Sequence, residues 1–486
     1  MKSIVEQIFA HADSNPDKPA LQDGKTTVSY KQLRSQTLYA KNLLEQTFGL
    51  QQGDPVILAA DKQLTFVPIY FACHLIGAVA LPIAPDINNR RFHFIYQKVA
   101  PKLVVGFQPE GISCRCVSLG EFAYDMADIP EQRIQFPDIE LLADIIFTTG
   151  TTGEPKGVQL THKNIAAAAL NINTFIQNTQ QDVEMLALPI SHSFGLGRLR
   201  CALSNGQTVV ILGSFANMKR FFRFMEEFQV TGFGMVPASW AMIKKLSGER
   251  IAEYAAQLHY VEIGSAPMPM EDKRLLIDLL PKTRICMHYG LTEASRSAFM
   301  EFHEESDRLD TVGKASPNMD IKILDESGVE TAAGTEGEIC VKGDAVTSGY
   351  YQMPEVNSTS FWNEYFRTGD WGILEADGHL RLCSRKKELI NVGGKKVSPI
   401  EVEQVLLGLE YVKDCACVAV DDPAGVLGEV VKAFIVTDKP DRISKETINK
   451  EISGQLEDYK IPVEYACIDM IPKTTSGKVQ RLSLKK

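Results

Sequence analysis

Residues 147–163 read FTTGTTGEPKGVQLTHK, and the fold is decided by how this stretch is approached and left. The run before it, Ala143-Asp144-Ile145-Ile146-Phe147, is apolar enough for a buried strand. The stretch then becomes a loop of Thr148, Thr149, Gly150, Thr151, Thr152, Gly153, Lys156 and Gly157. Glycines let successive N–H groups turn toward one point, hydroxyls add donors, and Lys156 adds positive charge. Such a loop suits a polyphosphate. A solvated polar turn has the same composition, and the Walker order of Gly-Lys-Ser/Thr directly before a helix is absent. Thr161 and Asn164 are candidate caps for a helix over 165–172.

Outward from this stretch the chain alternates strand and helix. Upstream, helices are expected over 29–46, 63–76 and 88–99, and strands over 55–59, 78–83 and 102–106. Downstream, the strand over 184–188 runs into a loop with Ser191, His192, Ser193 and Phe194. The strand over 258–263 runs into Gly264, Ser265, Ala266 and Pro267. The strand over 284–287 runs into His288, Tyr289, Gly290, Leu291, Thr292 and Glu293. Four polar, glycine-bearing loops thus follow strands, at the edge where open α/β sheets bind ligands. From about residue 312 short alternating runs predict a small antiparallel β subdomain. Beyond the basic stretch Ser384-Arg385-Lys386-Lys387 a compact α+β unit is expected. The fold class is α/β. A large N-terminal domain of doubly wound sheets, 1–386, carries the β subdomain, and a small mobile α+β domain, 387–486, follows.

Bulk properties narrow the function. The 486 residues suffice for two or three domains. A net charge of −10 argues against nucleic acid as partner and leaves room for a local anion site. The ten cysteines lack zinc spacing; Cys114-x-Cys116 and Cys415-x-Cys417 alternate as strand residues do. No signal-peptide pattern and no membrane-length apolar run is found. A reduced, cytoplasmic protein without a transmembrane segment is expected.

Four groups call for one chemistry. The Thr/Gly loop with Lys156 suits phosphates. Thr292 and Glu293 follow a strand, where a hydroxyl can bond phosphate and a carboxylate can hold Mg²⁺. Asp370, in Arg367-Thr368-Gly369-Asp370, reads as a tight turn whose carboxylate suits the two hydroxyls of a ribose. Lys478 lies in Pro472-Lys473-Thr474-Thr475-Ser476-Gly477-Lys478.

In this order and spacing the motifs TTGTTGEPKG, YGLTE, RTGDWG, SRKKELINVGGKKVSPIEVE and PKTTSGKVQR resemble those of the adenylate-forming superfamily. This superfamily holds the acyl-CoA synthetases, aryl-CoA ligases, adenylation domains and luciferases. The resemblance spans nearly the whole chain and is nearest to a bacterial-type acyl-CoA ligase. It implies ATP-dependent activation of a small carboxylic acid to acyl-AMP, then thioester formation with CoA. The alternative acceptor is the phosphopantetheine of an acyl carrier protein, loaded by a stand-alone adenylation enzyme. A non-catalytic nucleotide or acyl-CoA binder is the alternative of another class, and retention of Lys478, Glu293 and Asp370 argues against it.

The resemblance also implies roles. Thr148 through Gly153 and Lys156 hold the β- and γ-phosphates. Thr292 contacts the α-phosphate and Glu293 ligates Mg²⁺. Tyr289, Gly290 and the segment Gly264, Ser265, Ala266, Pro267 take the adenine. Asp370 and Arg385 hold the ribose, and Lys478 bridges acyl carboxylate and phosphate. Lys387 is the hinge, and Gly393 and Gly394 line the thiol tunnel. Asn391 and Lys396 face the active site in related ligases. Ser384 departs from the glycine usual before the motif arginine. His192, Ser193, Phe194 and His288 are expected at the acyl pocket, with His192 placing the carboxylate. His288 stands where many relatives have glycine, and a bulkier side chain there shortens the pocket. The His192 loop has no Asp for a substrate ammonium, so an α-amino acid is not expected. Arg198, Arg200 and Arg296 are close in sequence to pocket loops; one of them could pair with a second carboxylate or a polar group of the substrate, while the ordinary expectation for them is solvent or partner acids.

Overall fold

The computed structural model describes residues 1–60, 64–123, 134–148, 155–473 and 479–485. Its contacts divide the chain into two units: Met1–Ile321 with Val341–Phe366, and Lys322–Cys340 with Arg367–Lys486.

The first unit contains two sheets. One is six-stranded. Arg115–Val117, Leu103–Val105, Pro55–Ala59, Val79–Ile83 and Leu142–Thr148 run parallel in that spatial order, and Lys156–Thr161 closes the edge antiparallel. The other is nine-stranded. Its parallel core runs Arg284–Tyr289, Tyr260–Ile263, Gly232–Met235, Val183–Leu186, Thr208–Ile211 and Pro19–Gln22. The central strands are buried on both faces and mostly apolar, as sheets covered by helices require, with Asp144, Glu184 and Glu262 as the charged exceptions. Phe221, Phe224, Phe233 and Trp240 are almost fully buried against the larger sheet. Burying each such side chain contributes about 2–3 kcal/mol.

The helices begin where their caps dictate. Ile4–Ser14 starts at Ser3, whose hydroxyl accepts from the Glu6 amide. Phe66–Ile76 is buried on nearly all sides and ends at Gly77 with φ +79°. His162–Ile176 starts with the expected capping box, Thr161 and Asn164 exchanging side-chain and backbone bonds.

Two expectations are corrected here. Lys156 lies on a strand, not in the loop. Lys156-Gly157-Val158-Gln159-Leu160-Thr161 pairs antiparallel with Leu142–Thr148, so a strand, not a helix, follows the stretch 149–154. His288 and Tyr289 also lie on a strand, because Arg284–Tyr289 is prolonged by antiparallel pairing with Ala298–Glu301.

The second unit has antiparallel strands within Asp320–Leu324, Glu336–Lys342, Tyr365–Leu374 and Leu380–Arg385. It continues with helix Pro399–Leu407, strands Asp414–Asp421, Glu429–Val436 and Glu464–Cys467, and helix Lys445–Ile452. Cys415 and Cys417 point into its apolar core with Val402, Leu406 and Ile435. No helix among the described residues is long and apolar enough to cross a membrane.

Candidate functional site

In the first unit, Tyr350 joins two of the predicted groups. Its hydroxyl donates to Glu293 Oε1 at 2.8 Å, and Lys156 Nζ lies 4.8 Å from its ring centroid. The backbone holds this arrangement. Thr347 N donates to Glu293 O and Tyr351 N donates to Gly157 O, each at 2.8 Å. Isolated bridges pair Ala294 with Val346 and Val158 with Tyr350. The segment from Val346 to Tyr351 thus fastens the lysine strand to the Glu293 loop. Tyr350 has no counterpart in the sequence reading. Its only signal is a Gly-Tyr pair ahead of a short helix, Pro354–Ser360, and that signal is weak.

Thr292 meets Ser193, their hydroxyl oxygens 3.2 Å apart. Both line a cavity of about 30 Å³ with Leu160, Asn164, Ile165 and Arg200, room for a single water. Ser193 opens helix Ser193–Ser204, and His192 occupies the N-cap position without a side-chain capping bond. Its imidazole is therefore available to other partners. The side chain is exposed, yet desolvation by the protein around it, with the neighbouring Arg91, lowers its pKa from the ordinary value, and Asp86 pulls the other way. Arg91, also missed in the sequence, sends Nη2 toward Phe147 O at 3.5 Å, while its buried Nε has no partner. Ser265 adopts φ +74°, a left-handed conformation unusual for a non-glycine residue and typical of ligand-binding turns. Thr148 Oγ1 lies 3.4 Å from Lys156 O, where the two paired strands end. Thr149, Gly150, Thr151, Thr152, Gly153 and Lys478 lie outside the described residues.

The first unit also holds a buried charged layer. Arg198, fully buried, donates to Glu184 Oε1 at 3.0 Å and Oε2 at 2.6 Å, and to Glu262 Oε2 at 3.2 Å. Arg296 Nε donates to Glu262 Oε1 at 3.0 Å. Burial works against the Glu262 carboxylate, and Arg296, His288 and Arg198 hold its pKa far below the carboxylate range. Arg200 pairs with Asp144, which also accepts from Tyr70 at 2.9 Å and faces His74 Nε2 at 3.0 Å. All three arginines therefore meet partner acids inside the protein, and none reaches solvent as surface arginines do. Gly234 makes room for them: a Cβ there would meet Arg198 Cγ at 3.2 Å.

His288 belongs to the same layer. Its Nδ1 lies 2.7 Å from Glu262 Oε1, and its ring meets Phe194 edge-on at 4.7 Å. Burial lowers its pKa despite Glu262, so the ring is neutral. Ile263 pairs with Met287, which sets Gly264 beside His288 across the two strands. A Cβ on Gly264 would lie 2.1 Å from His288 Nε2.

The remaining predicted residues belong to the second unit. Asp370 pairs across strands with Arg385, Nε to Oδ1 at 2.7 Å. Asp370 lies within strand Tyr365–Leu374 rather than in a tight turn. The kink comes from Gly369, φ +72°, with the Asp370 amide donating to Thr368 Oγ1. Lys387 sits in a single 3₁₀ turn, Lys386–Glu388. Gly393 and Gly394, φ +59° and +86°, form the two-residue turn between Ile390–Val392 and Lys395–Val397. Gly393 N donates to Leu427 O at 2.9 Å. Lys396 pairs with Glu326 and lies over Trp371. No group of three or more His, Cys, Asp or Glu among the described residues can cage a metal ion.

Comparison with known proteins follows the same division. The family described as AMP-binding enzyme matches residues 8–351, and the AMP-binding enzyme C-terminal domain matches residues 401–478. The chain is 29% identical to 4-coumarate-CoA ligase 1 of Narcissus pseudonarcissus, over 98% of this chain and 92% of that one. It is 28% identical to 2-succinylbenzoate–CoA ligase of Bacillus licheniformis, over 97% and 98%. Among solved structures it is similar to ATP-bound MatB from Rhodopseudomonas palustris, with TM-score 0.88, 26% identity, and 100% and 98% covered. It is also similar to o-succinylbenzoate CoA synthetase from Bacillus subtilis holding its acyl-adenylate, with TM-score 0.86, 25% identity, and 99% and 98% covered.

Proposed function

The chain belongs to the AMP-binding enzyme family, and we propose that it is an AMP-forming acid–CoA ligase whose site is the edge organised by Tyr350. In the first step a carboxylate oxygen of the acid attacks the α-phosphorus of ATP. The new O–P bond forms as the bond to the β-phosphate breaks, and pyrophosphate leaves. In the second step the CoA sulfur, having lost its proton, attacks the acyl carbonyl, and AMP leaves.

The observation that carries this reading is the Lys156–Tyr350–Glu293 arrangement. It holds a carboxylate at the hydroxyl and a cation over the ring of one tyrosine. In our reading Lys156 and residues 148–153 bind the outer phosphates, and Thr292 and Ser193 present hydroxyls to the α-phosphate. Tyr289, Gly290 and residues 264–267 take the adenine, and Asp370 with Arg385 takes the ribose. Phosphoryl transfer needs mainly positioning and charge neutralisation, which these groups supply. Glu293 fits Mg²⁺. One oxygen is held by Tyr350, leaving the other as a single carboxylate ligand, and Mg²⁺ is commonly held by one or two carboxylates plus substrate phosphates. When bound, the ion would neutralise phosphate charge.

We assign Lys478 to the developing charge of the first step, with residues 387–486 rotating at Lys387 before the second. Gly393 and Gly394 then flank the thiol arm. His192, neutral and at an uncapped helix start, orients the substrate carboxylate. Arg198, Arg200 and Arg296 are neutralised by Glu184, Glu262 and Asp144, so none is left for a second carboxylate. His288 fills the space between Phe194 and Phe299. These three arginines therefore favour a monocarboxylate, with Arg91 beside His192 left to meet the carboxylate that reacts, and His288 favours a short acyl group.

The test is incubation with ATP, Mg²⁺, CoA and a panel of carboxylic acids. AMP, pyrophosphate and acyl-CoA are the expected products, with short monocarboxylates preferred to dicarboxylates. Absence of turnover with every acid, together with absence of nucleotide binding, overturns the reading. Faster transfer to a carrier protein's phosphopantetheine than to CoA would replace the acceptor and keep the first step.

A further inference from the structure

Lys473 and Val479, on either side of the stretch that contains Lys478, are paired with each other in an isolated antiparallel bridge, and Gln480 N donates to Pro472 O at 2.8 Å. Lys473 Nζ reaches Asp414 Oδ2 at 2.5 Å, anchoring the bridge to strand Asp414–Asp421. Two residues past the bridge Arg481 turns inward and is buried.

Arg481 makes two contacts of different kind. Nη2 donates to Glu403 Oε2 at 3.1 Å, and Nε lies 3.1 Å from Glu388 Oε2. Glu403 is part of helix Pro399–Leu407, and its other oxygen accepts from the Cys417 amide at 2.6 Å. That contact ties Arg481 to the core of the unit. Glu388 follows Lys387 directly. The residues before Lys387 are bound elsewhere. Arg385 pairs with Asp370 at 2.7 Å, and Lys386 Nζ with Glu338 Oε2 at 2.8 Å. Lys387 therefore separates two sets of ion pairs. One set holds residues 385 and 386 to the antiparallel strands, and the other holds residue 388 to Arg481.

We propose that Arg481 is a positioning residue for adenylate formation. It joins the residue after the hinge, helix Pro399–Leu407 and the Lys473–Val479 bridge into one piece, so that rotation at Lys387 delivers Lys478 at a set distance. The inference rests on the roles proposed above for Lys478 and Lys387. Its physical basis is one charge-assisted hydrogen bond, Arg481 to buried Glu403, which is stronger and more directional than a neutral one, and one ion pair, Arg481 Nε to the partly exposed Glu388. A misplacement of about 1 Å at a reacting group costs on the order of 100-fold in rate. Two residues, Val479 and Gln480, separate Lys478 from Arg481 in the chain, and Val479 is the bridge residue.

The experiment measures the two half-reactions separately in the full chain. Adenylation is followed as pyrophosphate release without CoA, and thioester formation as acyl-CoA made from supplied acyl-adenylate. Arg481→Ala and Glu388→Gln are compared, with Arg481→Lys as the conservative variant. The expected result for Arg481→Ala is a fall of roughly 10- to 100-fold in adenylation kcat, with KM for ATP and the thioester step within about two-fold of the parent. Glu388→Gln, which removes a partly exposed partner, gives a smaller loss of the same kind, and Arg481→Lys recovers part of it. In a Lys478→Ala background Arg481→Ala adds nothing further. Equal loss in both half-reactions, or an additive loss in that background, overturns the proposal and leaves Arg481 a purely structural residue. If Arg481→Ala does not fold, the same criteria apply to Glu388→Gln. Intact adenylation in Lys478→Ala itself would instead overturn the reading of Lys478. Loss in Lys478→Ala with none in Arg481→Ala or Glu388→Gln overturns only the present inference.

Discussion

The hydroxyl of Tyr350 donates to Glu293 Oε1 at 2.8 Å, and the face of the same ring carries Lys156 Nζ at 4.8 Å from its centroid. One aromatic side chain thus orients a carboxylate and a lysine that are 137 positions apart in the chain, 293 − 156. Glu293 is buried, so its rotamer depends on what it bonds. A hydrogen bond to a charged group contributes about 1.5–3 kcal/mol. A cation over an aromatic ring contributes about 0.5–2 kcal/mol.

Tyr350→Phe keeps the ring and removes the bond. We expect a drop of about 10-fold or more in adenylation, with a raised Mg²⁺ requirement, and a melting temperature near the parent's. Tyr350→Ala also removes the seat of Lys156 and lowers apparent ATP affinity further. Pyrophosphate release titrated with Mg²⁺ and with ATP checks both. An unchanged Mg²⁺ dependence in Tyr350→Phe would mean that Glu293 is not oriented for the ion.

Arg200→Met leaves the Asp144 carboxylate buried without its cation. Burial raises the pKa of Asp144, while Arg200 and His74 hold it below the ordinary range. Removing one partner of a buried pair costs about 3–5 kcal/mol. The expected outcome is a large loss in thermal stability with an unchanged rank order of acids. Arg200→Met with Asp144→Leu recovers much of the stability. Normal melting with an altered acid preference would show that Arg200 meets the substrate instead.

These arginines mark where the sequence was readable and where it was not. Arg198, Arg200 and Arg296 are ordinary helix and loop residues by spacing. What determines their surroundings is Asp144, Glu184 and Glu262, each a lone acid in an apolar strand. That lone acid was a visible sign of a buried partner, but the strand order that matches them is not written in periodicity. The β/α alternation, the Thr161–Asn164 capping box and helix Pro399–Leu407 were legible because local pattern alone decides them. The strand Lys156–Thr161 was legible in principle from its alternation and was masked by the glycine and lysine of the motif. Asp370 read as a turn because Gly369 carries a turn signal, although the chain only kinks within a strand. Tyr350 was not legible, since its role arises wholly from tertiary contacts.

Gly264→Ala tests how tightly residues 264–267, proposed above to take the adenine, sit on His288. The added Cβ would fall 2.1 Å from Nε2 of a buried ring held by Glu262 and Phe194. Overpacking of this kind costs about 1–3 kcal/mol. We expect lower stability and weaker nucleotide binding from Gly264→Ala alone, and a nearly neutral effect in a His288→Ala background. His288→Ala by itself should extend the acid preference toward longer acyl groups. Additive effects of the two substitutions on melting would show that the strain passes through another neighbour.

Glu403 predicts how stability depends on pH. Burial pushes its carboxyl up to about 7, with Arg481 and the Cys417 amide pulling down. Its unfolded value is near the ordinary 4.5. The folded state therefore binds the proton more tightly than the unfolded chain does. The resulting stability is fully present below about pH 4.5 and is lost as pH rises toward 7, where it levels off. Glu403→Gln cannot titrate, and its amide oxygen can still accept from Arg481. Thermal unfolding of the full chain between pH 5.5 and 8 should show the parent losing stability relative to this variant as pH rises to about 7. The difference should become constant above that point. Parallel curves for the two proteins across the range would mean that the carboxyl stays ionised in the fold, with Arg481 rather than burial deciding its charge.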